Sequence, residues 1–168
     1  MATSFNLSNS TAGIATRCAA ANVGQEWRCI FAEYAFPFVE TPLFALESLY
    51  DSWQIPNIYG CGQCMYGGSP ANATLLKLFQ HYHDLMLAAL QPVIKGAKGI
   101  FADACPAHCQ STVDGAGIWN GQWKVGGRNV REAFGDCYFM RGSCKSVDSV
   151  TWPSNPTCPA SLLSRTGA

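Results

Sequence analysis

"GAKGIFADACPAHCQ", residues 96–110, is the stretch whose reading decides the fold. Gly99–Asp103 is a short apolar run that ends in an acid, too brief for a helix and apolar without alternation. It reads as a strand buried on both faces. Immediately beyond it the chain carries His108 between two cysteines and behind Pro106. Upstream, from Asn72 to about Leu90, Leu75, Leu78, Phe79, Tyr82, Leu85, Met86 and Ala89 recur at helical spacing. Pro92 is expected to close that helix. His81 and His83 lie two positions apart in it and therefore point to different faces, which suits surface or boundary histidines better than ligands. Further upstream, "FVETPLFALESLYDSWQI" holds a second apolar run, Pro42–Leu46, with its carboxyl end near Glu47–Asp51. Strand, long helix, strand is a βαβ unit, and such a unit implies parallel strands in an α/β sheet.

The remaining segments are less regular. The first fifteen residues are polar and offer little apolar surface to offset the entropy of ordering. "NIYGCGQCMYGGSP" is a loop by its glycines and cysteines. In "GRNVREAFGDCYF", Val130, Phe134 and Tyr138 mark one face of a helix. The end, "PSNPTCPASLLSRTGA", reads as a tail pinned by a disulfide at most. No repeat or linker divides the 168 residues. The expectation is one domain spanning 1–168, with 1–15 and 153–168 as poorly ordered tails.

Eleven basic residues balance eleven acidic ones, and charged residues are 13% of the chain. There is no field to gather nucleic acid or an anionic membrane. No apolar run reaches the roughly 20 residues that span a bilayer. Nine cysteines point to an oxidising compartment or to a bound metal. Three sequons, at Asn6, Asn9 and Asn72, fit a secreted glycoprotein. "MATSFNLSNSTAGIA" lacks the basic and apolar regions of a signal peptide. The reading that reconciles these signs is a chain that forms part of a longer one.

Three roles compete for His108. Cys61-x-x-Cys64 with Cys105-x-x-His108-Cys109 offers soft ligands for a tetrahedral zinc. The forty residues between the halves hold the longest helix and a buried strand, however, and small zinc modules fold around the metal because their core is inadequate. A redox role for "CGQC" fails for want of a following helix to depress a thiol pKa. A histidine that simply fills a turn is the second role. The third rests on a partner: Asp51 and His108 each stand just past the carboxyl end of a parallel strand, where open α/β sheets bind ligands. Acid then histidine is the second part of the Ser…Asp…His order of α/β-hydrolases.

"TPLFALESLYDSWQI", "GIFADACPAHCQS" and "VREAFGDCYFMRG" together resemble the C-terminal half of the pectin acetylesterase / Notum family, with the plant and algal branch closest in wording. The likeness runs in order from about Cys18 to Cys158. It implies an α/β-hydrolase-like parallel sheet without the half that carries the nucleophile. It also implies a Ser-His-Asp mechanism in which Asp51 is the acid and His108 the base, acting on acetyl esters of cell-wall pectin, with no cofactor or metal. Trp53 and Gln54, beside the acid, are candidates to line the acyl site. Disulfides Cys18 with Cys29 and Cys137 with Cys144, secretion and residence in the cell wall are implied as well. The family's Gly-Cys-Ser-Ala-Gly-Gly elbow does not occur in these residues. Ser69 in "GGSPA" follows the acid and meets a proline where a helix must start, so it is no substitute. The partners expected are acetylated pectin or a related polysaccharide, and the missing N-terminal half. The rival expectation is a truncated, inactive derivative serving as a carbohydrate-binding or interaction module.

Overall fold

The computed structural model describes residues 2–61, 73–111, 118–151 and 155–159. Asn72, Ser69 and Cys64 lie outside them. The chain divides into two compact units, residues 1–42 and 43–168.

The first unit is helical. Its helices are α1 (Ala2–Leu7), α2 (Thr16–Ala21) and α3 (Ala32–Ala35), joined through 3-10 turns. Where the polar composition reads as a tail, α1 forms and buries Phe5. The Cys18–Cys29 disulfide, buried at both ends, ties α2 to the turn Glu26–Ile30. Arg17 pairs with Glu40, and the Arg28 guanidinium stacks over the rings of Trp27 and Tyr34.

The second unit is built on three parallel strands, β1 (Phe44–Ser48), β2 (Gly99–Asp103) and, last in the chain, β5 (Lys145–Val147), in the spatial order β1-β2-β5. The register runs from Phe44 beside Gly99 to Ser48 beside Asp103. β2 is central and buried at every position, the burial its unbroken apolar text requires. Gly99 is obligatory in that position: a Cβ there would sit 2.4 Å from the Phe44 ring and 2.9 Å from Cys137 Sγ. Strand β1 begins two residues later than its apolar run. Pro42 has no N–H to pair, and the parallel ladder is joined first at the Leu43 carbonyl, which accepts from Gly99 N–H.

Between β1 and β2 the chain forms α4 (Gln54–Asn57) and the long α5 (Ala73–Lys95). Contrary to expectation, Pro92 does not end α5; the helix continues one further turn to Lys95. Proline's fixed φ is compatible with a helix, and its missing N–H falls within the helix's last two turns. Lys145 Nζ donates to the Val93 and Lys98 carbonyls around that end. A second correction concerns His83, which is buried and stacked on Tyr50 (5.2 Å between centroids), while His81 is exposed.

After β2 come a hairpin, β3 (Lys124–Val125) with β4 (Arg128–Asn129), and helix α6 (Val130–Tyr138). Gly126 and Gly127 make the hairpin turn with both φ positive, at 58° and 81°. A capping box starts α6: Asn129 Oδ1 accepts from Glu132 N–H, and Glu132 Oε2 accepts from Asn129 N–H. The helix buries Val130 and Ala133, whereas Phe134 and Tyr138, on the face marked by the sequence, remain largely outside. With Trp123, Val125, Phe101, Cys105 and Ile118, Val130 and Ala133 form a core on which Phe44 and Leu46 pack. Cys137–Cys144 closes the turn from α6 into β5. The segment 155–159 is held by more than the Cys105–Cys158 bridge: Asn155 is buried and its Nδ2 donates to Asp148 Oδ2 and to the Lys124 carbonyl.

Candidate active site

Two loops leave the carboxyl ends of β1 and β2 side by side. They are laced together three times. Leu49 N–H donates to the Asp103 carbonyl (2.8 Å), Ser48 Oγ to the Cys105 carbonyl (2.6 Å), and Ser52 N–H to the Ala107 carbonyl (3.2 Å). These bonds carry Asp51 and His108 to one place.

The Asp51 carboxylate is buried and fully used. Its Oδ1 accepts the N–H groups of Trp53 (2.8 Å) and Gln54 (2.7 Å), and its Oδ2 accepts from Gln54 Nε2 (3.3 Å). The loop thereby folds round the acid and turns into α4, whose first bond runs from Ile55 N–H to the Asp51 carbonyl. His108 Nδ1 lies 2.9 Å from Oδ2 and 3.0 Å from Oδ1. An ionised carboxylate only accepts, so Nδ1 carries a proton in this pair, and in the neutral imidazole Nε2 then keeps its lone pair. The acid's side chain is 4% exposed and the imidazole's 43%, so the histidine opens outward from a buried anchor. Trp53 stacks on the imidazole with centroids 5.4 Å apart and planes 26° apart. Such a pair can orient a tautomer and receive a proton at Nε2.

The surrounding electrostatics include residues that the sequence did not single out. Burial, and then the charge of Asp51, push the Glu47 carboxyl up to about 7, against the bond it accepts from Ser48 N–H. Burial raises the Tyr82 phenol well above its ordinary range, with Asp51 and Glu47 adding to the rise. Asp103, wholly buried under the loops, is raised by that burial most of all, and its Oδ1 accepts Cys105 N–H (3.0 Å). An acid closing an apolar strand was the visible mark of Asp103; nothing local marked Glu47.

Two cysteines of the candidate zinc set are taken up in disulfides. Cys105 is bound to Cys158 and Cys61 is also in a disulfide. Among the described residues no group of three or more His, Cys, Asp or Glu is placed to hold a metal. Cys109, next to His108, is exposed. Asn6 and Asn9 are exposed on the first unit. Among the described residues no helix is long and apolar enough to cross a membrane.

Comparison with known proteins converges on one family. The sequence profile described as Pectinacetylesterase matches residues 2–159. Pectin acetylesterase 11 of Arabidopsis thaliana is 35% identical over 144 residues, covering 79% of this chain and 36% of that protein. Palmitoleoyl-protein carboxylesterase notum1a of Danio rerio is 27% identical over 168 residues, covering 90% of this chain and 31% of the relative. The solved structure of the Wnt deacylase Notum from Drosophila superposes with a TM-score of 0.68 at 18% identity, over 86% of this chain and 38% of that one. That likeness establishes the α/β-hydrolase-like sheet. The chain spans about a third of the length of these curated relatives. A profile match over nearly all 168 residues, with the sheet to go with it, makes this chain a member of the pectinacetylesterase family.

Proposed function

We propose that this chain carries the acid–base part of a secreted carboxylic-ester hydrolase that removes acetyl groups from cell-wall pectin. The observation that carries the reading is the 2.9 Å contact between His108 Nδ1 and the buried Asp51 carboxylate, at the tips of adjacent parallel strands. His108 Nε2 takes the proton of a serine hydroxyl as its oxygen attacks the acetyl carbonyl. The imidazolium then returns the proton to the leaving sugar alkoxide, and the acetyl-serine is hydrolysed by water activated in the same way. Asp51 holds the tautomer and stabilises the imidazolium without itself being protonated.

No Gly-x-Ser-x-Gly turn occurs in these 168 residues, so the serine and its oxyanion donors come from outside them. Pectin as the substrate follows the plant relatives' name. The disulfides support export, exposure within sequons supports glycans on Asn6 and Asn9, and cell-wall residence goes with pectin as the substrate.

The test is co-expression with an elbow-bearing N-terminal half of a plant pectin acetylesterase, followed by acetate release from acetylated pectin. Activity of the pair that vanishes on His108→Ala supports the reading. Equal activity of the alanine variant defeats it. A second reading, a non-catalytic carbohydrate-binding or interaction module, draws support from the second unit's own buried core and from the disulfides Cys105–Cys158 and Cys137–Cys144, both closed inside the unit. Pull-down of the lone chain on acetylated pectin, with no gain of activity from the added half, supports that second reading.

A further inference from the structure

The imidazole of His108 is more than two-fifths exposed, yet a general base must present Nε2 in one direction. Its bond to Asp51 fixes where Nδ1 sits. That bond leaves the ring free to swing about the line joining Nδ1 to the carboxylate. Trp53 stacks on His108 at 5.4 Å and 26°. Trp53 is itself 48% exposed, so burial does not account for where its indole lies. Its backbone N–H donates to Asp51 Oδ1 at 2.8 Å, the same carboxylate that holds the histidine. Platform and base are thus referred to a single anchor three atoms wide.

We infer that Trp53 is a positioning residue for His108: its indole face sets the plane of the imidazole, and thereby the direction of Nε2, and its electron-rich face accommodates the imidazolium formed when the proton is taken. This role rests on the reading of His108 as the base, and it differs from that of a wall for the acyl group. A substrate wall acts through binding of the ester. A ring platform acts through the proton transfer, so its loss lowers kcat and leaves KM alone.

Two measurements decide it. On the chain by itself, NMR of histidine-labelled protein, with His108 assigned through His108→Gln, should show the imidazole protons displaced upfield by the indole and a Nδ1 proton protected by its bond to Asp51. Trp53→Leu should abolish the displacement and expose that proton to exchange; Trp53→Phe should retain part of the first and most of the second. Absence of the displacement in the wild type, or a Nδ1 proton equally protected in Trp53→Leu, overturns the inference. With the elbow-bearing half supplied, Trp53→Leu should lower kcat about fivefold at unchanged KM, the size of an exposed ring–cation contact, and Trp53→Phe should recover most of the loss. A raised KM at unchanged kcat makes Trp53 a substrate wall and overturns it as well. If His108→Ala leaves turnover intact, the positioning role falls together with the proposed function; an intact upfield displacement then shows that the chemistry assigned to the base, not the stack, was at fault.

Discussion

Ser48 Oγ donates to the carbonyl of Cys105 across 2.6 Å, and the two residues are 57 positions apart, the same separation as Asp51 and His108. Along the strands the register is 55, from Phe44 beside Gly99 to Ser48 beside Asp103. The serine ties the end of β1 to the loop that carries His108. Ser48→Ala removes two buried hydrogen bonds, the one to the Cys105 carbonyl and the one accepted from Tyr50 N–H, and should cost about 1–3 kcal/mol in urea unfolding. It should also broaden the NMR signals of His108, because the loop that carries the ring loses its tie to β1.

Asp51→Asn keeps an oxygen to accept the Trp53 and Gln54 N–H groups, so the fold should survive. The amide no longer requires a proton on Nδ1, and the tautomer that leaves Nε2 basic is lost. Turnover of the reconstituted pair should fall by about 10⁴ with little change in the unfolding midpoint. A drop in thermal stability as large as that of a core truncation would show that the carboxylate serves the fold first.

Glu47 titrates within the useful pH range. Its carboxyl is raised from its ordinary value to about 7, chiefly by burial and then by Asp51. A raised folded-state pKa means stability that is full below about 4.5 and is lost as pH climbs through about 7. The wild type should therefore lose up to about 3 kcal/mol between pH 4.5 and 8 from this group. Glu47→Gln should flatten that slope in thermal unfolding followed across the range, while its side-chain oxygen still accepts Ser48 N–H.

Asp103 obeys the same sign. Burial, with Asp148 close by, raises its carboxyl well above the ordinary value, so the stability it contributes is present in acid and lost on ionisation. Asp103→Asn retains an acceptor for Cys105 N–H and removes the cost of a buried charge. Its urea midpoint should exceed the wild type's at pH 8 by more than at pH 4. Equal differences at the two pH values would place the ionisation elsewhere.

The bridge from Cys105 to Cys158 closes 53 residues just ahead of the His108 loop. Replacing both cysteines with alanine should cost about 4 kcal/mol by loss of that restraint on the unfolded chain. Removing Cys137–Cys144, which closes a separation of 7, should cost less. Paired urea titrations of the two double variants check the order.

Much of this architecture is legible in the text of the chain. Four consecutive apolar positions, Gly99–Ala102, identify β2 because a strand covered on both faces shows no alternation of apolar and polar side chains. Periodic leucines identify α5 because a long helix must bury a stripe. Asp51 and His108 are visible as chemistry at the ends of strands. Strand β5 is not visible: three residues, Lys145–Val147, carry no period, and they are a strand only because β2 presents an open edge. His83 is hidden for a related reason, since a histidine in a helix takes its burial from the ring across the interface, here Tyr50.

Residue order by itself determined the βαβ element, the presence of an acid and a histidine past its two strand ends, and the absence of a nucleophile elbow from these residues, since each is written in spacing or composition. Tertiary structure alone decided that Cys105 joins Cys158 and not a metal, that Glu47 carries a raised carboxyl beside the dyad, and that Trp53 lies against the imidazole. Disulfide partners, desolvation and ring stacking depend on distances between parts of the chain that are remote in sequence. Those distances exist only once the strands have paired and the loops have been laced.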